Sequence, residues 1–188
     1  TAGQITSLTD GTGLEVLIPV GSSGKPSFTI TAVDDDIYEQ SEEFGMNISG
    51  AVNADLGVSS DTAAIEDEDD KEGDKPTVKI VATDDLAVEG VANDTIVFEI
   101  SQDNVSNFET KVVAKLDLDE VELADIDSIT YTDAGGTATV LTAGQITSLT
   151  DGTGLEVLIP VGSSGKPSFT ITAVDDDIYE QSEEFGMN

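Results

Sequence analysis

The chain contains no cysteine, histidine, arginine or tryptophan. Without cysteine there is no disulfide framework, no thiolate nucleophile and no thiolate site for zinc or an iron–sulfur cluster. Without histidine as well, the usual zinc and copper ligands are gone. Positive charge is equally scarce. Seven lysines face 39 acidic residues, for a formal net charge of −32. Phosphate recognition needs clustered Lys and Arg, so nucleic acid is excluded as a partner. An anionic membrane surface is excluded on the same ground. No run is apolar enough for membrane insertion, and no signal peptide is recognisable. Aromatic residues make up only 5% of the chain. That leaves little from which to build a sugar-binding platform of exposed rings.

Hydrophobic residues are present at 38%. That is too many for a disordered acidic tail. The aliphatics alternate with polar residues, as strands require. A charge of −32 would oppose compaction unless cations neutralise it. Bound metal ions or a salty environment are therefore expected.

The strongest signal is a repeat. Residues Thr1–Asn47 recur without substitution as Thr142–Asn188, an offset of 141 residues. Such a period holds a whole domain plus a linker. Identity this complete implies a window on a long tandem array, the usual build of a spacer or scaffold. Segment 66–75 (EDEDDKEGDK) holds seven acids and two lysines and precedes Pro76. It reads as part of a linker. The expected domains are 1–66, the C-terminal half of one repeat; 67–76, the acidic linker; and 77–188, the N-terminal part of the next.

Strands are expected at Val78–Thr83, Thr95–Ser101, Thr110–Leu116, Ser128–Thr132, Thr137–Leu141, Leu155–Val161, Ser168–Val174 and from Phe185 onward. The first copy should supply Leu14–Val20, Ser27–Val33, Phe44–Ser49 and Thr62–Ile65. Turn signals such as Gly21-Ser22-Ser23-Gly24 and Asp151-Gly152 separate them. No segment has helical periodicity over three turns, and Val121–Ile126 suggests one short helical turn. This many short strands points to an all-β, immunoglobulin-like β-sandwich.

In such a sandwich the first, third and fifth connections lie at one pole, where the last strand also ends. The acids fall there. Asp84, Asp85 and Glu89 lie in the first connection, and Asp117, Asp119, Glu120, Glu122, Asp125 and Asp127 in the third. Asp175, Asp176, Asp177, Glu180, Glu183 and Glu184 lie in the fifth, and Asp67–Asp70 follow the last strand of the first copy. Carboxylates gathered so closely repel unless a cation sits among them. Calcium fits, because it takes six to eight oxygen ligands in irregular geometry, whereas magnesium demands an octahedron. The alternative is a solvated acidic surface.

The run from Leu155 to Asn188, continued by Ile48-Ser49-Gly50 and closed by Ile65-Glu66-Asp67-Glu68-Asp69-Asp70, resembles a Calx-beta-type domain. More narrowly, it resembles the extender repeats of large bacterial RTX adhesins secreted by type I systems. The resemblance covers one complete repeat and is carried chiefly by the Asp-Asp-Asp-x-x-Glu-x-x-Glu-Glu-Phe loop and the acidic domain end. It implies immunoglobulin-like Greek-key sandwiches in tandem, joined by short acidic calcium-binding linkers. It also implies several Ca2+ ions per repeat, a place on the bacterial cell surface, and a role in adhesion and biofilm formation. Carried over, Asp34, Asp35, Asp36, Glu39, Asp67, Asp69 and Asp70 are the candidate ligands in the first repeat. Asp85, Glu89, Asp175, Asp176, Asp177 and Glu180 are those in the second.

The function expected is a calcium-stabilised spacer that projects a ligand-binding tip. The rival from another class is an Ig-like module that itself binds a carbohydrate or protein, with Tyr38, Tyr131 and Tyr179 as its rings. Each of these is more simply read as a packing residue. An enzyme is not expected, since the acids crowd a loop pole rather than line a cleft. The expected partners are neighbouring repeats of the same array. Residues 77–188 lack the last strand, whose sequence stands upstream at Thr62–Ile65. A linker of ten residues reaches at most ~35 Å, against some 40 Å for a domain. Completion between molecules, or a longer array of which this chain is one asymmetric window, is therefore expected.

Overall fold

The structure, a computed structural model, describes residues 2–66, 74–90, 94–119, 121–175 and 184–188. It divides into two compact units, Thr1–Asp34 and Asp35–Asn188. The first contains one helix, α1 (Ala2–Thr9). The second contains β1 (Ile37–Tyr38), β2 (Glu42–Asn47), β3 (Ser60–Ile65), β4 (Val78–Asp84) and β5 (Thr95–Gln102). It continues with β6 (Val105–Ser106), β7 (Thr110–Ala114), β8 (Leu116–Asp117), β9 (Ile126–Thr132) and β10 (Ala138–Val140). Helix α2 (Ala143–Thr150) follows, then β11 (Leu155–Ile159), β12 (Ser168–Ala173) and β13 (Gly186–Met187). The described chain is thus predominantly β.

Two layers form the body of the second unit. One is a five-stranded antiparallel sheet in the order β10-β9-β12-β5-β4. The other contains β11 paired with β7, and β13 paired with β8, which continues β7 after Lys115. The side chains alternate as a half-buried strand demands. In β12, Phe169 and Ile171 point inward, and in β11, Val157 and Ile159 do. Phe169, Ile171 and Val157 meet Phe98 and Ile100 of β5, Ile129 of β9, Leu116 of β8 and Met187 of β13 in one core. Each such side chain contributes about 1.5–3 kcal/mol on burial. Tyr131 lies 5.1 Å from Phe169, ring centre to ring centre, and Phe98 lies 6.0 Å from Phe185.

Helix α2 is fixed by its own ends. The Gln145 N–H donates to Thr142 Oγ1 (3.4 Å), and the Thr142 N–H donates back to Gln145 Oε1 (3.0 Å). This reciprocal box satisfies donors that the first turn leaves open. Gly152 takes φ +85° just past the helix, where a left-handed residue is needed to stop it. Leu149 anchors the helix with no exposed surface. Two turns fall below a three-turn search, yet Thr142-x-x-Gln145 was readable as a start signal. The turn expected over Val121–Ile126 is a 3-10 turn at Leu123–Asp125.

One expectation is corrected. Leu14–Val20 and Ser27–Val33 form no strands, although the same residues one repeat later form β11 and β12. The cause is partnership. Strand β11 exists on β7, and β12 lies between β5 and β9. Those neighbours occur once and are taken by the second copy. In the first copy Leu17 and Val33 remain 77% and 85% exposed. The helix, which needs no partner, forms in both copies.

The two copies also display the two edges of one strand. Lys115 and Asn188 exchange both backbone hydrogen bonds, at 2.7 and 2.8 Å, so Asn188 faces β8. In the first copy the corresponding residue is Asn47, and the next N–H, of Ile48, donates to the Ser59 carbonyl at 2.8 Å. Backbone groups alternate sides along a strand. The β8 edge seen in one copy and the β3 edge seen in the other are therefore opposite edges. A single strand of this sequence accommodates both neighbours.

Candidate metal-binding pole

Three connections meet where β12 ends. The Ala173 N–H donates to the Asp94 carbonyl (2.8 Å), just before β5. The Val174 N–H donates to the Asp125 carbonyl (2.8 Å), just before β9. Between β4 and β5, Gly90 turns with φ +68°, and a Cβ there would lie 3.0 Å from Asp175 Oδ1. A side chain at Gly90 would thus meet the Asp175 carboxylate as well as a strained backbone. The Glu89-Gly90 turn and Asp175 are thus brought together.

The thirteen candidate ligands are distributed as follows. Asp85, Glu89 and Asp175 lie in or beside these connections, all exposed. Asp35 Oδ1 accepts from the Ile37 N–H (3.0 Å), which shapes the turn into β1. Asp34 and Asp36 are exposed, whereas Glu39 is half-buried and accepts from Asn107 Nδ2. Asp34 falls in the other compact unit. Asp67, Asp69, Asp70, Asp176, Asp177 and Glu180 lie outside the described residues. Among the described residues, no three acidic side chains form a group able to hold a metal ion. An open groove of about 280 Å³ is lined by Asp117, Asp119 and Glu184 with residues 185–188. Asp117 and Asp119 belong to the acidic third connection and Glu184 to the fifth, and none of them is among the thirteen candidates.

No family model matches the chain, and neither the curated proteins nor the solved structures include a similar one.

Among the described residues, Lys111 pairs with Glu109 (2.9 Å) and Glu156 (3.8 Å), and Lys166 pairs with Glu99 (2.9 Å). Carboxylate and carbonyl oxygens are the donors on offer, a set that suits a hard cation. No helix among the described residues is long and apolar enough to cross a membrane.

The other end of the second repeat has a defined carboxylate of its own. Asp103 Oδ1 accepts from the Thr77 N–H (2.6 Å) and from the Asn104 N–H (3.0 Å). The bond from Thr77 is the main reason its carboxyl is held below the usual aspartate value. A depressed folded-state pKa adds stability above the unfolded value, and that stability is lost as pH falls through the folded one. An NMR titration should show the Thr77 amide shift following Asp103 protonation, with a midpoint below that of an unperturbed aspartate. Asp103→Asn should abolish the titration. A midpoint at the unperturbed value would rule out this anchor.

Proposed function

We propose that the chain is part of an array of immunoglobulin-like extender repeats, a spacer stiffened by calcium at its domain poles and linkers. The meeting of the Gly90 turn with Asp175 carries this reading. It brings the first and fifth connections to one pole, where Glu89 and Asp175 are the described residues best placed to hold a cation. Calcium would supply positive charge there and offset the mutual repulsion of the loops. With the linker acids Asp67, Asp69 and Asp70 drawn in, the linker would no longer behave as a self-repelling flexible chain. An exact repeat suits this role, because a spacer needs length more than diversity.

The strand order supports an immunoglobulin-like arrangement. The β4, β5, β12 and β9 strands share one layer, and β8 with β13 opens the other. The two described tyrosines favour a spacer over a binding module, and Tyr179 lies outside the described residues. Tyr131 packs on Phe169 and Tyr38 on Phe108. Burial pushes the Tyr131 phenol above its ordinary value. Adhesion at a bacterial surface, with the ligand-binding tip elsewhere in the protein, is the setting in which such a spacer works. The partner proposed is another repeat, which would lay its Ser60–Ile65 strand on the β13 edge opposite β8.

Small-angle scattering in millimolar calcium and in EDTA tests the reading. The maximum dimension is expected to change on chelation, and the flexibility to rise. Forward intensity gives the mass in the same experiment, and strand completion between molecules would raise it to that of a dimer. Profiles that superimpose in the two buffers would leave the acids as a solvated surface and end the calcium reading.

A further inference from the structure

We propose that Ile37–Glu39 of one repeat and the Val105–Phe108 segment of the next form the joint that fixes how successive repeats are set. The proposal rests on the reading of the chain as a tandem spacer, but not on calcium. By the 141-residue period, Ile37–Glu39 belongs to the upstream repeat and Val105–Phe108 to the downstream one.

Strand β1 pairs with β6 in parallel, Ile37 opposite Val105 and Tyr38 opposite Ser106. The Asn107 N–H donates to the Tyr38 carbonyl (3.0 Å), and Asn107 Nδ2 donates to Glu39 Oε1. The Tyr38 ring meets Phe108 edge-on, 5.8 Å between centres at 61°. Backbone, side-chain amide and ring contacts thus coincide over three consecutive residues of one segment and four of the other.

The Val105–Phe108 segment is also held from its other side. Ser106 is 2% exposed, and its carbonyl accepts from the Gly162 N–H (2.9 Å). Ser106 Oγ accepts from the Phe108 N–H (2.9 Å). A receptor already rigid loses less entropy when it engages. The end of the linker lands on the two residues just before Val105. Asn104 Nδ2 donates to the Asp74 carbonyl (3.2 Å), and Thr77 is tied to Asp103. A single covalent connection leaves two bodies free to swivel. A second attachment beside it removes that freedom. The joint uses Glu39, one of the candidate ligands of the first copy, but neither Glu89 nor Asp175. Each period carries both halves, since Ile-Tyr-Glu recurs at 178–180.

The full chain, free of native cysteine, allows a direct test. Ile37→Cys combined with Val105→Cys places thiols on directly paired residues, within disulfide reach for adjacent strands. Mild oxidation should close an intrachain crosslink in calcium and in EDTA. Ile37→Cys with Val140→Cys, on a strand in a separate sheet, should not crosslink. In the unsubstituted chain the Asn107 amide should exchange slowly, and Tyr38→Ala should speed it by about threefold to tenfold, the weight of one aromatic pair. No crosslink in either buffer, or Asn107 exchanging at the unprotected rate, would overturn the joint. Crosslinking with a length indifferent to calcium would keep the joint and remove the calcium reading. A calcium-dependent length without crosslinking would do the reverse.

Discussion

Phe169→Ala is expected to lower unfolding stability by about 3–5 kcal/mol, the usual cost of emptying a buried aromatic site. Phe28→Ala, the same substitution one repeat earlier, should change it by no more than about 0.5 kcal/mol. The two residues share their neighbours in sequence over the whole 47-residue repeat. They differ in surroundings. Phe169 is 1% exposed and paired with Phe98 on one side and Tyr131 on the other. Phe28 is 45% exposed, in a segment with no strand. Urea denaturation of both variants decides the matter. One pattern would overturn the assignment of the sheet to the second copy. If each single substitution is mild and only the double is severe, the copies exchange for the same partner strands. The intact copy would then rescue the damaged one.

This contrast also explains how much of the fold was legible. Strands β2 to β5, β7 and β9 to β13 follow the alternation and turn signals, because their partners lie within the same unit, whereas the single strand expected over Thr110–Leu116 is broken at Lys115 into β7 and β8. The same reasoning applied to Leu14–Val20 and Ser27–Val33 failed. Alternation records which face a strand would bury, not whether a neighbour is free to receive it. The helices were legible in principle and were overlooked, since a capping box is local chemistry and repeats with the sequence. At the pole, sequence order alone grouped the Glu89 turn with Asp175, and the Gly90 contact agrees with it. The pull of Glu39 toward Asn107 was not legible. It depends on where one repeat meets the next, which no periodicity within a repeat encodes.

Chelation is expected to lower the melting temperature of the second unit by about 8–16 °C for each calcium site that was saturated. The unfolded chain cannot reproduce a site built from separate connections, so the ion binds only the folded form. At a free concentration of about 1,000 Kd, one site adds about 4 kcal/mol. A unit the size of Asp35–Asn188 shifts by about 2–4 °C per kcal/mol. The gain should grow with the logarithm of calcium concentration, which separates site binding from general screening. Magnesium at the same concentration should recover little, because it keeps its waters and demands a regular octahedron. Asp175→Asn should reduce the calcium-dependent part while leaving the melting temperature in EDTA nearly unchanged or slightly raised, since it removes one of several repelling charges. Calorimetry of the two proteins in both buffers separates the outcomes. Equal melting in calcium and EDTA would mean that no ion is held. A calcium effect that Asp175→Asn leaves intact would move the site away from the end of β12.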